Sequence, residues 1–145
     1  MGQMVDATRE SFDKVYTIEL NRHLYEGARV RFSKFDNVSV FHGDSGEVLP
    51  RVLSDIDQPC LFWLDAHYSG GSTAKADLET PALLELVEIL DHPVRQHVIL
   101  IDDARKFSGT DSWPTIEALR SLVAGKRPDW VFEVRDDIVR IHRPR

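Results

Sequence analysis

The chain has 145 residues, 42% of them apolar and 29% charged, with a net charge of −6. That length suits one ordinary domain, and the acidic balance argues against a binder of nucleic-acid phosphate backbones while leaving room for a small charged ligand. The single cysteine, Cys60, excludes a disulfide framework; no apolar run approaches the ~20 residues of a membrane span, and Met1–Asp6 lacks signal-peptide character, so a cytoplasmic location is expected.

Residues Gln3 to Phe12 predict a polar helix. Val15–Ile18 predicts a short strand ending at Glu19, and Asn21 then caps a helix in which Leu24, Ala28 and Phe32 keep i, i+4, i+8 spacing. Val38–Phe41 is the next strand, ended by Gly43-Asp44-Ser45, with Ser45 as the expected cap of a helix carrying Val48, Leu49, Val52 and Leu53. Leu61–Leu64 is a continuous apolar run stopped by Asp65, Ala66 and His67, which reads as a strand buried on both faces. Residues 68–80 form a long polar loop with Gly70 and Gly71, expected to be a mobile lid. Thr80-Pro81 starts a helix with Leu83, Leu84, Val87 and Leu90 inward and Glu85, Glu88 and Asp91 in water. Val98–Ile101 repeats the buried-strand pattern and runs into Asp102-Asp103. Pro114 opens another helix, with Ile116, Leu119 and Val123 inward. Val131–Val134 and Ile138–Ile141 flank Arg135-Asp136-Asp137 as a closing hairpin.

Alternation of this kind predicts an α/β, Rossmann-like three-layer sandwich of one domain, mostly parallel, with an antiparallel hairpin at one edge. The strands Leu61–Leu64 and Val98–Ile101 are expected side by side and parallel. Glu19, Asp44, Asp65 and Asp102 each fall just past a strand, on the carboxyl rim where open α/β sheets bind ligands. An acid there is often only a helix cap. Glu19 suits ribose hydroxyls and Asp44 an exocyclic amine. Asp65, Asp102 and Asp103 would repel one another unless joined by positive charge. Mg2+ is one candidate, and an ordinary salt bridge to Arg105 or Lys75 is the other. His67 can be a general base, a metal ligand or a structural histidine.

On these residues the chain resembles class I S-adenosylmethionine-dependent methyltransferases, from about residue 2 to the C-terminus. The motifs are Val15–Glu19, Gly43-Asp44-Ser45, Leu61–His67, Val98–Asp103 and the terminal hairpin. The resemblance implies that Glu19 holds the ribose of S-adenosylmethionine and that Asp44, with Ser45 beside it, meets the adenine. It implies that Gly2 is the last glycine of the cofactor loop. Leu64-Asp65 and Ile101-Asp102-Asp103 are similar to the Mg2+ site of the catechol O-methyltransferase-like branch and of the macrocin O-methyltransferase-like branch, which implies Asp65, Asp102 and Asp103 as metal ligands. In the macrocin-like branch an acid stands where this chain has His67, so His67 takes the place of the base.

The family's first strand and most of its glycine-rich loop have no counterpart here, so the domain reads as N-terminally truncated. Since that strand lies mid-sheet, its loss predicts direct pairing of the flanking strands, a strand from a partner copy in a homo-oligomer, or a split sheet. It also predicts weak S-adenosylmethionine binding and little methyltransferase activity in this chain. The functional expectation is a metal-assisted O-methyltransferase acting on a small hydroxyl acceptor, with no nucleic-acid or membrane partner. The alternatives are a non-catalytic methyltransferase-like binding or assembly domain, and a nucleotide-sugar transferase using Asp65-Ala66-His67 as a metal motif.

Overall fold

The structure is a computed structural model, and it describes residues 2–65, 81–110 and 113–144. The elements run α1 (Gln3–Thr8), β1 (Val15–Glu19), α2 (Arg22–Phe32), β2 (Val38–His42), α3 (Ser45–Ser54), β3 (Leu61–Leu64), α4 (Pro81–Asp91), β4 (Val98–Ile101), a 3-10 turn (Ala104–Lys106), α5 (Ile116–Lys126), β5 (Val131–Arg135) and β6 (Ile138–His142). This is the expected alternation. The chain forms two compact units, Met1–Val52 and Leu53–Arg145.

In the first unit β1 and β2 pair in parallel, from Val15 opposite Val38 to Glu19 opposite His42. Asn21 caps α2 by accepting the Leu24 N–H at 3.2 Å. Phe32 is the fully buried end of the predicted α2 stripe. The first helix stops at Thr8, short of the expected Phe12. Just past its end, Asn37 Nδ2 donates to the carbonyls of Arg9 at 2.7 Å and Phe12 at 3.2 Å. The cap of α3 is Asp44 and not Ser45, because Asp44 Oδ1 accepts the Gly46 N–H at 2.9 Å. Just before it, Gly43 has φ 143°, and a Cβ there would come within 2.8 Å of Val48.

The second unit holds a four-stranded mixed sheet in the order β3-β4-β6-β5. β3 and β4 are parallel neighbours, Leu61 opposite Val98 through Leu64 opposite Ile101, as the sequence predicts. The hairpin occupies one edge through β5, while β6 lies inside and pairs antiparallel with β4. Asp136 and Asp137 form its two-residue turn, with φ of 54° and 62°, which suits the right-handed twist of the strands.

The fold expectation needs two corrections. First, β1–β2 and β3-β4-β6-β5 are separate sheets among the described residues, so the flanking strands β1 and β3 do not pair directly. Second, β3 and β4 are not buried on both faces. β3 is the edge strand of its sheet, and Leu61 is 38% exposed. In β4, Ile99 and Ile101 are fully buried, while Val98 and Leu100 are only half-buried. Ile99 faces Ile141 and Ile101 faces Val139 across the ladder, all four at 0% exposure. That single apolar face, with Leu86, Ile89 and Leu90 of α4 and Leu119 and Val123 of α5, makes the core. Glu85, expected in water, is buried. The helix expected to open at Pro114 starts at Ile116, and Thr115 caps it by accepting the Ala118 N–H at 3.1 Å.

A histidine pair crosses this core. The Cys60 N–H donates to His97 Nδ1 at 3.1 Å, which leaves the proton of neutral His97 on Nε2. His97 Nε2 then donates to His92 Nδ1 at 2.9 Å, and His92 Nε2 donates to the Leu53 carbonyl at 3.0 Å. Every ring nitrogen has one role, and both rings are neutral. Burial first, then the repulsion that a protonated His92 would add and that of the Arg127 charge, push the His97 pKa down to about 4.

Candidate functional site

The carboxyl rim of β1 and β2 carries Glu19 and, two residues past β2, Asp44. Parallel pairing fixes their common edge, since Glu19 is in register with His42. The Asn21 N–H donates to one Glu19 oxygen at 2.9 Å, which holds the carboxylate at the start of α2. Half-buried and held at one oxygen, Glu19 can accept from a sugar hydroxyl with the other. Asp44 is less available, because its Oδ1 is committed to the α3 cap. Ser45 is the first residue of α3. Gly2 precedes α1 with φ 76°, and a Cβ there would press within 2.8 Å of the Phe32 ring. Local packing thus accounts for that glycine.

The second rim lies at the ends of β3 and β4. Asp65 and Asp102 follow directly on the registered pair Leu64 and Ile101, and the Asp102 N–H continues the ladder to the Leu64 carbonyl at 3.0 Å. Their placement at one sheet edge is as the sequence predicts. Their use is different for Asp103. It is buried, with a left-handed backbone at φ 55°, and its side chain is 8% exposed. Arg105 lies 2.6 Å from Oδ1 and Lys106 2.9 Å from Oδ2. Asp102 Oδ1 accepts the Asp103 N–H at 2.8 Å. The positive charge that the sequence argument demanded is therefore supplied by the next two basic side chains. Both Asp103 oxygens face cations, and among the described residues no three His, Cys, Asp or Glu side chains gather to hold a metal ion. These carboxylates do not fit Mg2+ as a ligand set.

The β5–β6 turn braces this rim. The Asp137 carbonyl accepts the Ala104 N–H at 2.8 Å, its carboxylate accepts the Arg105 N–H at 2.8 Å, and the same carboxylate pairs with the Arg105 guanidinium. His67, Lys75 and the proposed lid 68–80 lie outside the described residues. So does Ala66 of the Asp65-Ala66-His67 motif.

One group of polar residues was not singled out in the sequence. Arg22, Tyr25, Glu26 and Arg29 on α2, with His42 at the end of β2, line a cleft of about 270 Å³. The signal was present as a second stripe on α2, at i, i+3, i+4 and i+7, beside the apolar one.

No protein-family model matches the sequence, and no curated protein is similar to it. Solved structures do share its fold. The presumed methyltransferase yhhF of Escherichia coli superposes with a TM-score of 0.58 at 10% identity, over 99% of this chain and 72% of that one. A presumed methyltransferase of Streptococcus mutans in complex with SAH gives 0.56 at 12% identity, over 90% and 76%. A presumed caffeoyl-CoA O-methyltransferase of Staphylococcus aureus gives 0.52 at 17% identity, over 88% and 63%. The chain therefore has the α/β fold of these methyltransferases. No helix among the described residues is long and apolar enough to cross a membrane.

Proposed function

We propose that the chain is a methyltransferase-type domain that binds S-adenosylmethionine through the rim of β1 and β2, with Glu19 on the ribose. The observation that carries this is Glu19 itself, a half-buried carboxylate held at the end of the first strand of a parallel pair. A fold shared with an SAH-bound neighbour supports it. Asp44 lies on the same rim and meets the adenine edge in this reading. S-adenosylmethionine, when bound, supplies a methyl group on a sulfonium. The chain's own contribution is to hold the ribose and orient the acceptor, since such transfer depends mainly on positioning. The fold does not choose the acceptor; a small hydroxyl acceptor, with His67 as its base, belongs to this proposal. Mg2+ does not, because Asp103 already faces two cations.

Calorimetry with SAH is the test. The proposal expects measurable binding that Glu19→Ala weakens at least tenfold. Binding untouched by Glu19→Ala would remove the site from this rim. Absence of binding would favour the second reading, a non-catalytic domain of the same fold, which the committed Asp103 and capping Asp44 support.

A further inference from the structure

The net charge of −6 is unevenly spread. Residues 1–52 hold seven Lys and Arg against eight Asp and Glu, while residues 53–145 hold eleven against sixteen. Within the first unit α2 is locally basic, with Arg22, Arg29 and Arg31 against Glu26 alone. Arg31 is turned to Asp6, so the cleft keeps Arg22 and Arg29 as its cations and Glu26 as its acid. Arg22 pairs with Glu26 at 3.1 Å; no acid among the described residues pairs with Arg29. Helix geometry puts both guanidinium groups on the stripe that also carries Tyr25. The Tyr25 and His42 rings lie 5.0 Å apart, tilted by 38°, and give the cleft an aromatic wall.

A patch of this make-up has defined chemistry. Two guanidinium groups lining one cleft favour a phosphate, which guanidinium groups grip with paired N–H donors. A carboxylate beside them accepts from hydroxyls. An aromatic wall takes a flat ring by stacking. A phosphate, a diol and a flat ring together make a ribonucleotide. The cleft volume, about 270 Å³, is just under the ~300 Å³ at which small-molecule sites begin, so it leaves no room for more than one nucleotide.

We propose that the cleft of Arg22, Tyr25, Glu26, Arg29 and His42 binds one ribonucleotide, its phosphate on Arg22 and Arg29 and its ribose on Glu26. The inference is independent of the methyl-transfer reading, and its test contains no S-adenosylmethionine. Adenosine monophosphate is titrated into the full chain and followed by calorimetry and by the NMR signals of His42 and Tyr25. The expected result is saturable binding that shifts both rings, falls as salt is added, and weakens at least tenfold in Arg29→Gln. Glu26→Gln weakens the nucleotide but spares inorganic phosphate. Arg29 is an exposed helix position, and an unchanged circular dichroism spectrum confirms that its variant folds. A short oligoribonucleotide sorts the source: binding through the same residues marks a strand end as the ligand, and adenosine monophosphate alone marks a free nucleotide. Absent binding, or binding unchanged in Arg29→Gln, overturns the proposal. So does loss of nucleotide binding in Glu19→Ala with Arg29→Gln silent, which would place the nucleotide on the cofactor rim.

Discussion

The two compact units divide the labour of the chain. In Leu53–Arg145 one sheet face is wholly apolar and dry, and two helices supply Leu86, Ile89, Leu90, Leu119 and Val123 to it. In Met1–Val52 no residue of β1 or β2 is fully buried, and burial rests on Val5, Phe32 and the α3 residues Val48, Leu49 and Val52. The polar residues that can meet a ligand, Glu19 and the α2 cleft, sit on the thinner unit. Hydrophobic burial is the main source of stability, while binding groups need exposure, so a region rich in one is commonly poor in the other.

The comparison breaks most visibly if its core claim is wrong. Ile99→Ala, in the dry face, is expected to cost about 2–5 kcal/mol in urea denaturation, and Val40→Ala in β2 less than half as much. Equal losses would erase the contrast. Acid probes the same unit by another route. His97 has an ordinary pKa of 6.5 when unfolded and about 4 when folded, so the unfolded chain takes up its proton first as pH falls. The stability it contributes is complete above about 6.5 and is lost on the way down to about 4. The full loss is about 3 kcal/mol, and His97→Phe flattens that part of the pH profile. A melting temperature insensitive to pH between 4 and 7 would count against the neutral histidine chain.

Asp103 sharpens the contrast between rims. Asp103→Asn keeps a residue tolerant of φ 55° but breaks two ion pairs, so a loss of about 1–2 kcal/mol is expected, with Asp103→Ala worse by roughly another 1. Added Mg2+ should leave the melting temperature of the parent chain unchanged; a rise that Asp103→Asn removes would restore the metal. The smallest effects come from the caps. Asn21→Ala in one unit and Thr115→Ala in the other should each cost about 1 kcal/mol, because a cap acts locally and does not sense which core lies nearby.

What the sequence disclosed follows the range of the interactions involved. The six strands were legible because each is a short apolar or β-branched run closed by turn residues, and the Asn21 cap because it acts three residues away. The parallel pairing of β3 and β4 followed from the single helix between them. The Asn37 bonds just past α1 were not legible, since Asn37 reaches Arg9 from 28 residues on. Nor was the histidine chain, which needs Leu53 and Cys60 brought to His92 and His97. At Asp103 the alternative partner Arg105 was readable, but Lys106 and the bracing Asp137 depended on the 3-10 turn and the hairpin tip. The α2 cleft was written as a stripe and passed unnoticed beside the apolar one.

The order β3-β4-β6-β5 also has a consequence in time. A chain leaves the ribosome from its N-terminus, so β3, α4 and β4 emerge before the strand that must lie against β4. Until Ile138–His142 appears, Ile99 and Ile101 have no antiparallel neighbour, and one edge of β4 is open. Closing that pair spans some forty residues, a long-range contact of the kind that slows folding. In the interval β4 is a bare apolar strand edge, the sort that other chains can add to. Arresting translation with Ile138–His142 still inside the exit tunnel, and again behind an added C-terminal linker that carries them out of it, should therefore separate a protease-sensitive, aggregation-prone nascent chain from a resistant one.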